Sequence, residues 1–172
     1  LTLIWACNSG STHAKPPVEV DKNLRVATFA GGCFWCMETA FEGMKGIDSV
    51  VSGYMGGVEV NPSYQQVSRG QTGHAEVVQV AYDPSIVSYN LLLTTFWYNI
   101  DPYVSDRQFC DRGRQYRPEI FVHTQAQETK ASASMKAVKQ RSLLKGTFKV
   151  PISKAGVFYA AEKYHQDYYL KN

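Results

Sequence analysis

The sequence predicts an α+β fold, a two-layer sandwich with helices packed on one mixed sheet. Two observations carry this. Short runs of β-branched and aromatic residues alternate with segments of helical period, in the order β-α-β-β-α-β-α-β. The length, 172 residues with 44% hydrophobic content, suits one domain with a real core and is short for two. The expected organisation is a leader-like segment and linker over 1–20 and a single catalytic domain over 21–172.

Arg25 to Ala30 alternates like a strand and runs into Gly31-Gly32-Cys33-Phe34-Trp35-Cys36, a glycine turn that opens a helix-like run from Met37 to Met44. Gly46 to Gly57 reads as a strand closed by glycines. Asn61 to Gly70 is turn-rich, with one helical turn around Tyr64 to Val67. Ala75 to Tyr82 is the strongest strand signal, ended by Asp83-Pro84. Ser88 fits a helix N-cap, Tyr89, Leu92, Leu93, Phe96 and Ile100 give the helical period, and Val87 with Leu92 suits a hydrophobic staple. Asp101 to Tyr116 is a long polar loop, of the kind that carries function in a compact domain. Glu119 to His123 is a strand. Thr124 and Gln127 fit a capping box for a helix to about Leu144. Phe148 to Ile152 is an expected edge strand because Pro151 has no donor for a central ladder. Glu162 to Tyr169 is a short helical segment. The central βαββαβ order is that of a ferredoxin-like core.

Composition narrows the function. A net charge of +3 without any Lys/Arg block argues against nucleic acid. The 13% aromatic content, with eleven Tyr, suits a pocket that handles an apolar group beside polar tips. Leu1 to Cys7 resembles the end of a bacterial lipoprotein signal, with Asn8 to Pro17 as a polar tether. On that reading the sequence is a fragment or a processed form, Cys7 is lipidated, and the protein is periplasmic or membrane-anchored. The alternative is a plain N-terminal tail and a cytoplasmic protein. An unmodified Cys7 thiol by mass spectrometry of native material would end the lipoprotein reading.

Chemistry concentrates at Cys33. A cysteine where a helix begins faces free N–H groups and the positive end of the helix dipole, which favour thiolate. Lowering its pKa from roughly 8.5 to about 7 would take roughly 2 kcal/mol. Cys36 follows one turn later, at a Cβ separation of roughly 5–6 Å from which modest adjustment closes a disulfide. Such a bridge encloses almost no chain, so it would stabilise little, and redox chemistry is its better use. Glu76 shares a strand face with Val78 and Val80, opposite Ala75, Val77 and Gln79. A carboxyl on an apolar face is pushed toward its protonated form and becomes a proton donor near neutral pH. The bland reading of Glu76 is a solvated strand end. Tyr54 and Tyr116 sit beside glycines or loop residues and could hydrogen-bond an oxygen substituent. Taken alone, each is an ordinary half-buried tyrosine, and His74 and His165 are ordinary histidines.

Six ordered motifs carry a resemblance. They are Gly32-Cys33-Phe34-Trp35, Gly53-Tyr54 with Gly56-Gly57, Asn61-Pro62-Ser63-Tyr64, Thr72 to Glu76, Asp111 to Arg117, and Tyr164-His165-Gln166. From about Arg25 onward the sequence resembles the A-type methionine sulfoxide reductases, peptide-methionine (S)-S-oxide reductases. The resemblance implies that Cys33 attacks the sulfoxide sulfur and that Glu76 protonates the departing oxygen, which Tyr54 and Tyr116 hydrogen-bond. It implies that Phe34 and Trp35 form the slot for the S-methyl group, with His165 in the substrate site and Asp111 on its polar side. Cys33 would become a sulfenic acid, condense with Cys36 to a disulfide, and be recycled by thioredoxin or another dithiol. No bound cofactor and no metal are expected, and a monomer is. Many relatives have Gly in place of Cys36 and resolve with cysteines in a C-terminal extension. This sequence ends at Asn172 without them, so resolution falls to Cys36, or to Cys110 beside Asp111, with Cys36 favoured by proximity. A closing segment around the pocket is also expected to be missing. Two rivals remain, a thioredoxin-like dithiol-disulfide oxidoreductase and a zinc module using Cys33, Cys36, Cys110 and a histidine. The aromatic pair between the cysteines suits neither.

Overall fold

A computed structural model describes residues 23–144 and 146–172. Cys7 and the expected tether lie outside the described residues. A six-stranded mixed sheet carries the helices. Its strands are β1 (Arg25–Gly31), β2 (Ile47–Met55), β3 (Ala75–Tyr82), β6 (Pro118–Val122), β7 (Ile152–Lys154) and β8 (Tyr159–Ala160), in the order β7-β6-β1-β3-β2-β8. The four inner strands run antiparallel in the order β6-β1-β3-β2, and β7 joins β6 in parallel. That is the expected ferredoxin-like core with one strand added at each edge. The helices are α1 (Phe34–Phe41), the short α2 (Tyr64–Ser68), α3 (Tyr89–Tyr98), α4 (Gln125–Arg141) and a terminal turn α5 (Tyr168–Lys171). A two-stranded hairpin, β4 (Arg107–Gln108) with β5 (Asp111–Arg112), stands apart.

Alternation along the strands sorts the core into two clusters. Ala27, Phe29, Val78 and Val80 meet Met37, Phe41, Leu92, Leu93 and Phe96 of α1 and α3, while Ala30, Met55, Ala75, Val77 and Phe121 face the other way, against Ala155 and Phe158. Phe29 is the hub of the first cluster, with ring centroids 5.3 Å from both Phe41 and Phe96. Burying a ring of this size contributes roughly 2–3 kcal/mol. Among the described residues no helix is long and apolar enough to cross a membrane.

Several boundaries differ from the sequence expectation. The first helix spans Phe34–Phe41, not Met37 to Met44, so Cys33 is itself the N-cap. Ser88 does cap α3, accepting from the Leu91 amide. Thr124 accepts from the Gln127 amide, but the Gln127 side chain reaches His123 N and Val26 O instead of closing a capping box. Its long-range bond to β1 outcompetes the local one. The helix ends at Arg141, three residues before Leu144. The edge strand lies at Ile152–Lys154, just past Pro151, whose carbonyl accepts from Ile120 N at 3.0 Å. Proline without a donor serves as the entrance to the strand. The segment from Glu162 to Tyr169 is not one helix but a 3-10 turn (Lys163–His165) and α5, separated by Asp167 at φ +54°. The polar loop over 101–116 contains the β4–β5 hairpin, and β8 was not anticipated.

Candidate active site

The site grows from the end of β1. Gly32 turns the chain at φ +93°, and a Cβ there would meet the Gln108 side chain at 2.6 Å, so only glycine fits. Gln108 is buried and bonds both polar groups of the Asp101 backbone, which closes the 101–116 loop on itself while the Gln108 side chain packs over this turn. Cys33 follows as the N-cap of α1, half-buried, and the Trp35 and Cys36 amides draw its pKa down as expected. The net effect is opposite to the expectation. Burial first, then the charge of Glu76, push the Cys33 thiol up to about 12. The local argument counted the helix end and missed both the burial of the thiol and the carboxylate brought in from β3.

Glu76 stands on the helix-facing side of β3, 2% exposed, as the alternation predicts. Its Oε2 accepts from the Phe34 amide at 3.0 Å, the first N–H after Cys33. Desolvation raises its pKa to about 7; the Phe34 amide lowers it, and the charge of Asp111 raises it. The solvated reading of Glu76 is therefore wrong. The Cys33 thiol and the Glu76 carboxyl share one helix terminus.

Tyr54 lies directly across from Glu76 in the β2–β3 register and is 1% exposed, deeper than the half-buried tyrosine expected. Its hydroxyl donates to Glu162 Oε2 at 2.9 Å, while Glu162 Oε1 accepts from the Tyr64 amide at 2.9 Å. Glu162 was not singled out from the sequence; it lies three residues before His165, in a motif read only for its Tyr-His-Gln. Tyr116 sits in a 3-10 turn (Arg114–Tyr116) after the hairpin, and burial, then Glu76, raise its pKa. Asp111, at the start of β5, is close enough to act on Glu76, Tyr64 and Tyr116 through its charge.

Aromatic rings wall the site. Phe34 is buried against Trp35, Tyr54 and Tyr64, with centroids 6.0, 6.0 and 6.3 Å away. His165 is packed among Tyr64, Tyr164, Phe34 and Trp35 at 4.1 to 5.5 Å, with neither ring nitrogen hydrogen-bonded, and burial lowers its pKa. Trp35 stacks on Tyr168 at 3.8 Å and 10°. That stack belongs to a C-terminal arm which Gln166 pins to the β2 edge through the amide and carbonyl of Ser52. Such long-range ties leave no mark in local patterning. His74, by contrast, bonds Gly57 N and Glu59 O and holds the glycine turn after β2.

All three described cysteines are free thiols. Cys36 is exposed one turn beyond Cys33, and Cys110 is exposed at the hairpin tip next to Asp111. Among the described residues the one group of side chains at metal-ligand spacing is Glu38, Glu42 and Asp167; no cysteine belongs to it. The site thus offers a thiol, a neutralisable carboxyl, phenols and an apolar wall, the set needed to attack a polarised centre while protonating the atom that leaves.

Comparison with known proteins points the same way. The family model described as peptide methionine sulfoxide reductase matches residues 25–172. The peptide methionine sulfoxide reductase MsrA of Listeria monocytogenes serotype 4a (strain HCC23) is 46% identical over 150 residues, 87% of this chain and 85% of its own length. That of Methanoculleus marisnigri is 48% identical over 151 residues, 88% of this chain and 92% of its own. Among solved structures, reduced Mxr1 from Saccharomyces cerevisiae superposes with a TM-score of 0.83 at 31% identity, covering 90% of this chain and 89% of that one. Methionine sulfoxide reductase A of Corynebacterium diphtheriae gives 0.76 at 29% identity, over 88% and 76%.

Proposed function

The chain belongs to the peptide methionine sulfoxide reductase family, and on that footing we propose how it works. It is an oxidoreductase that reduces methionine sulfoxide, and the proposal concerns the S epimer, free or in proteins. The observation that carries the mechanism is the Glu76 carboxyl bonded to the amide that follows Cys33.

With Glu76 at about 7 and Cys33 at about 12, the pair holds one proton over most of the range between. Placed on Glu76, that proton removes the carboxylate's share of the upward push on the thiol, leaving chiefly the share that comes from burial. Cys33 is left as a thiolate facing the Trp35 and Cys36 amides. The thiolate attacks the sulfoxide sulfur while the sulfoxide oxygen takes the proton from Glu76, because an unprotonated oxide is a prohibitive leaving group. The hydroxyl then passes from the substrate sulfur to the Cys33 sulfur as the sulfur–sulfur bond formed in the attack breaks, so thiol plus sulfoxide gives Cys33 sulfenic acid plus methionine. Phe34 and Trp35 hold the S-methyl group and select the epimer by shape, and His165 and Asp111 complete the apolar and polar sides. Cys36 then condenses with the sulfenic acid, losing water, and a dithiol such as thioredoxin reduces the bridge. The Cys36 amide, which already faces the Cys33 sulfur, supports this choice over Cys110.

The test is epimer-resolved turnover of a methionine sulfoxide peptide. Wild type should reduce the S form alone, and Cys33→Ser should reduce neither; turnover of the R form, or activity in the mutant, defeats the reading. Peptide mapping after one turnover without reductant should find a Cys33–Cys36 bridge. A Cys33–Cys110 bridge would move the resolving role to Cys110.

A further inference from the structure

Glu162 spends both carboxylate oxygens inside the site, one on the Tyr54 hydroxyl and one on the Tyr64 amide. We propose that Glu162 is a positioning residue that aims the Tyr54 proton away from the substrate, so that Tyr54 presents an oxygen lone pair and engages the sulfoxide oxygen only after that oxygen has been protonated. This rests on the reductase reading above, and it refines the sequence expectation that Tyr54 simply hydrogen-bonds the oxygen.

A phenol has one proton to donate. Here it points to Glu162, and Tyr54 is almost wholly buried, so no water competes for it. Glu162 cannot swing away without orphaning the Tyr64 amide at the start of α2. Burial and the Glu162 charge also raise the Tyr54 pKa, which keeps the proton on the phenol. Tyr54 and Glu76 are directly opposed on neighbouring strands, so both side chains stand on one face of the sheet.

The consequence follows from proton bookkeeping. The bare sulfoxide oxygen has lone pairs only, and so does the inward side of Tyr54; they do not bond. Once Glu76 transfers its proton, the substrate carries S–OH and Glu76 is a carboxylate. The new O–H donates to the Tyr54 oxygen, and the S–O bond then breaks as that hydroxyl passes to the Cys33 sulfur and methionine is released. The contact exists only past the proton transfer, so it stabilises the transition state and not the bound substrate.

Glu162→Gln inverts this arrangement. The amide oxygen serves Tyr64 N, its NH2 donates to the Tyr54 oxygen, and the phenolic proton turns toward the bound sulfoxide. Expected for reduction of the S-sulfoxide peptide is a kcat lower by roughly 10–100-fold with KM unchanged or reduced. In a Tyr54→Phe background the same substitution should change kcat by less than about 2-fold, because its effect runs through the Tyr54 hydroxyl. A raised KM with unchanged kcat, or a kcat loss undiminished in the Tyr54→Phe background, overturns the inference while leaving the reductase reading intact. Wild type inactive on the S form overturns both. Should Glu162→Gln fold poorly by circular dichroism, Tyr54→Phe alone decides: a lower kcat at constant KM supports the inference and a raised KM defeats it.

Discussion

Glu76 and Glu119 sit on the two strands that flank β1, and both are almost wholly buried, 2% and 7% exposed. Their partners differ. Glu119 accepts from Arg117 Nε at 2.8 Å and from Ser153 Oγ at 2.6 Å, so a guanidinium neutralises one oxygen and a hydroxyl satisfies the other. Glu76 has the Phe34 amide and no cation among the described residues, with Asp111 adding repulsion. A buried carboxylate with a cation is a strut between strands. One without a cation keeps its proton to about pH 7 and can give it away. The comparison teaches that the missing partner, not burial, marks the chemical carboxyl.

The sharpest way to break that contrast is to neutralise each glutamate in turn. Glu76→Gln should slow S-sulfoxide reduction by roughly 10²–10⁴-fold. Glu119→Gln, assayed where it is folded, should stay within about 3-fold of wild type, since it touches no reacting atom. Comparable losses of kcat/KM in the two variants would erase the distinction.

Stability should move in opposite directions. Glu76 binds its proton more tightly folded than unfolded, at about 7 against an ordinary 4.5. Between those values the folded state holds more protons, so the stability from this group is full below pH 4.5 and is lost as pH rises through 7. Glu76→Gln should therefore gain up to roughly 3 kcal/mol at pH 8 and nothing near pH 4. Glu119→Gln should instead be less stable than wild type at pH 8, because it removes the charge paired with the part-buried Arg117 guanidinium. Denaturant melts of both variants at the two pH values check the signs; a Glu76→Gln variant less stable than wild type at pH 8 would show that its carboxyl is better solvated than its burial implies.

The smallest effect is in the pH profile. The rate at which Cys33 is oxidised by substrate in one turnover should rise about tenfold per unit as pH approaches 7 and then level off, as the pair passes from two protons to one. Glu76→Gln should lack that rise near 7. A wild-type rate flat from pH 5 to 8 would uncouple Cys33 from Glu76.

Reading the site from the chain succeeded where the information is local. Gly32 and Cys33 declare a strand-to-helix turn, period-two alternation puts Glu76 on the face with Val78 and Val80, and Ser88 caps its helix as its type and place suggest. It failed where distant segments meet. Glu162 reaches Tyr54 across 108 positions and Gln166 reaches Ser52 across 114. Gln127 abandoned a local cap for Val26, 101 residues away. The direction of the Cys33 pKa was lost for the same reason, since its burial and then the Glu76 charge both come from packing with distant segments.

By itself the sequence determined which residues can do chemistry and the order of strands and helices, because turns, caps and periodicity act over a few neighbours. Only the tertiary structure decided how much of each side chain loses water and which charge or donor stands opposite it. Desolvation and pairing depend on the whole packed neighbourhood, and they alone separate the glutamate that carries a proton, the one that braces a sheet, and the one that aims a phenol.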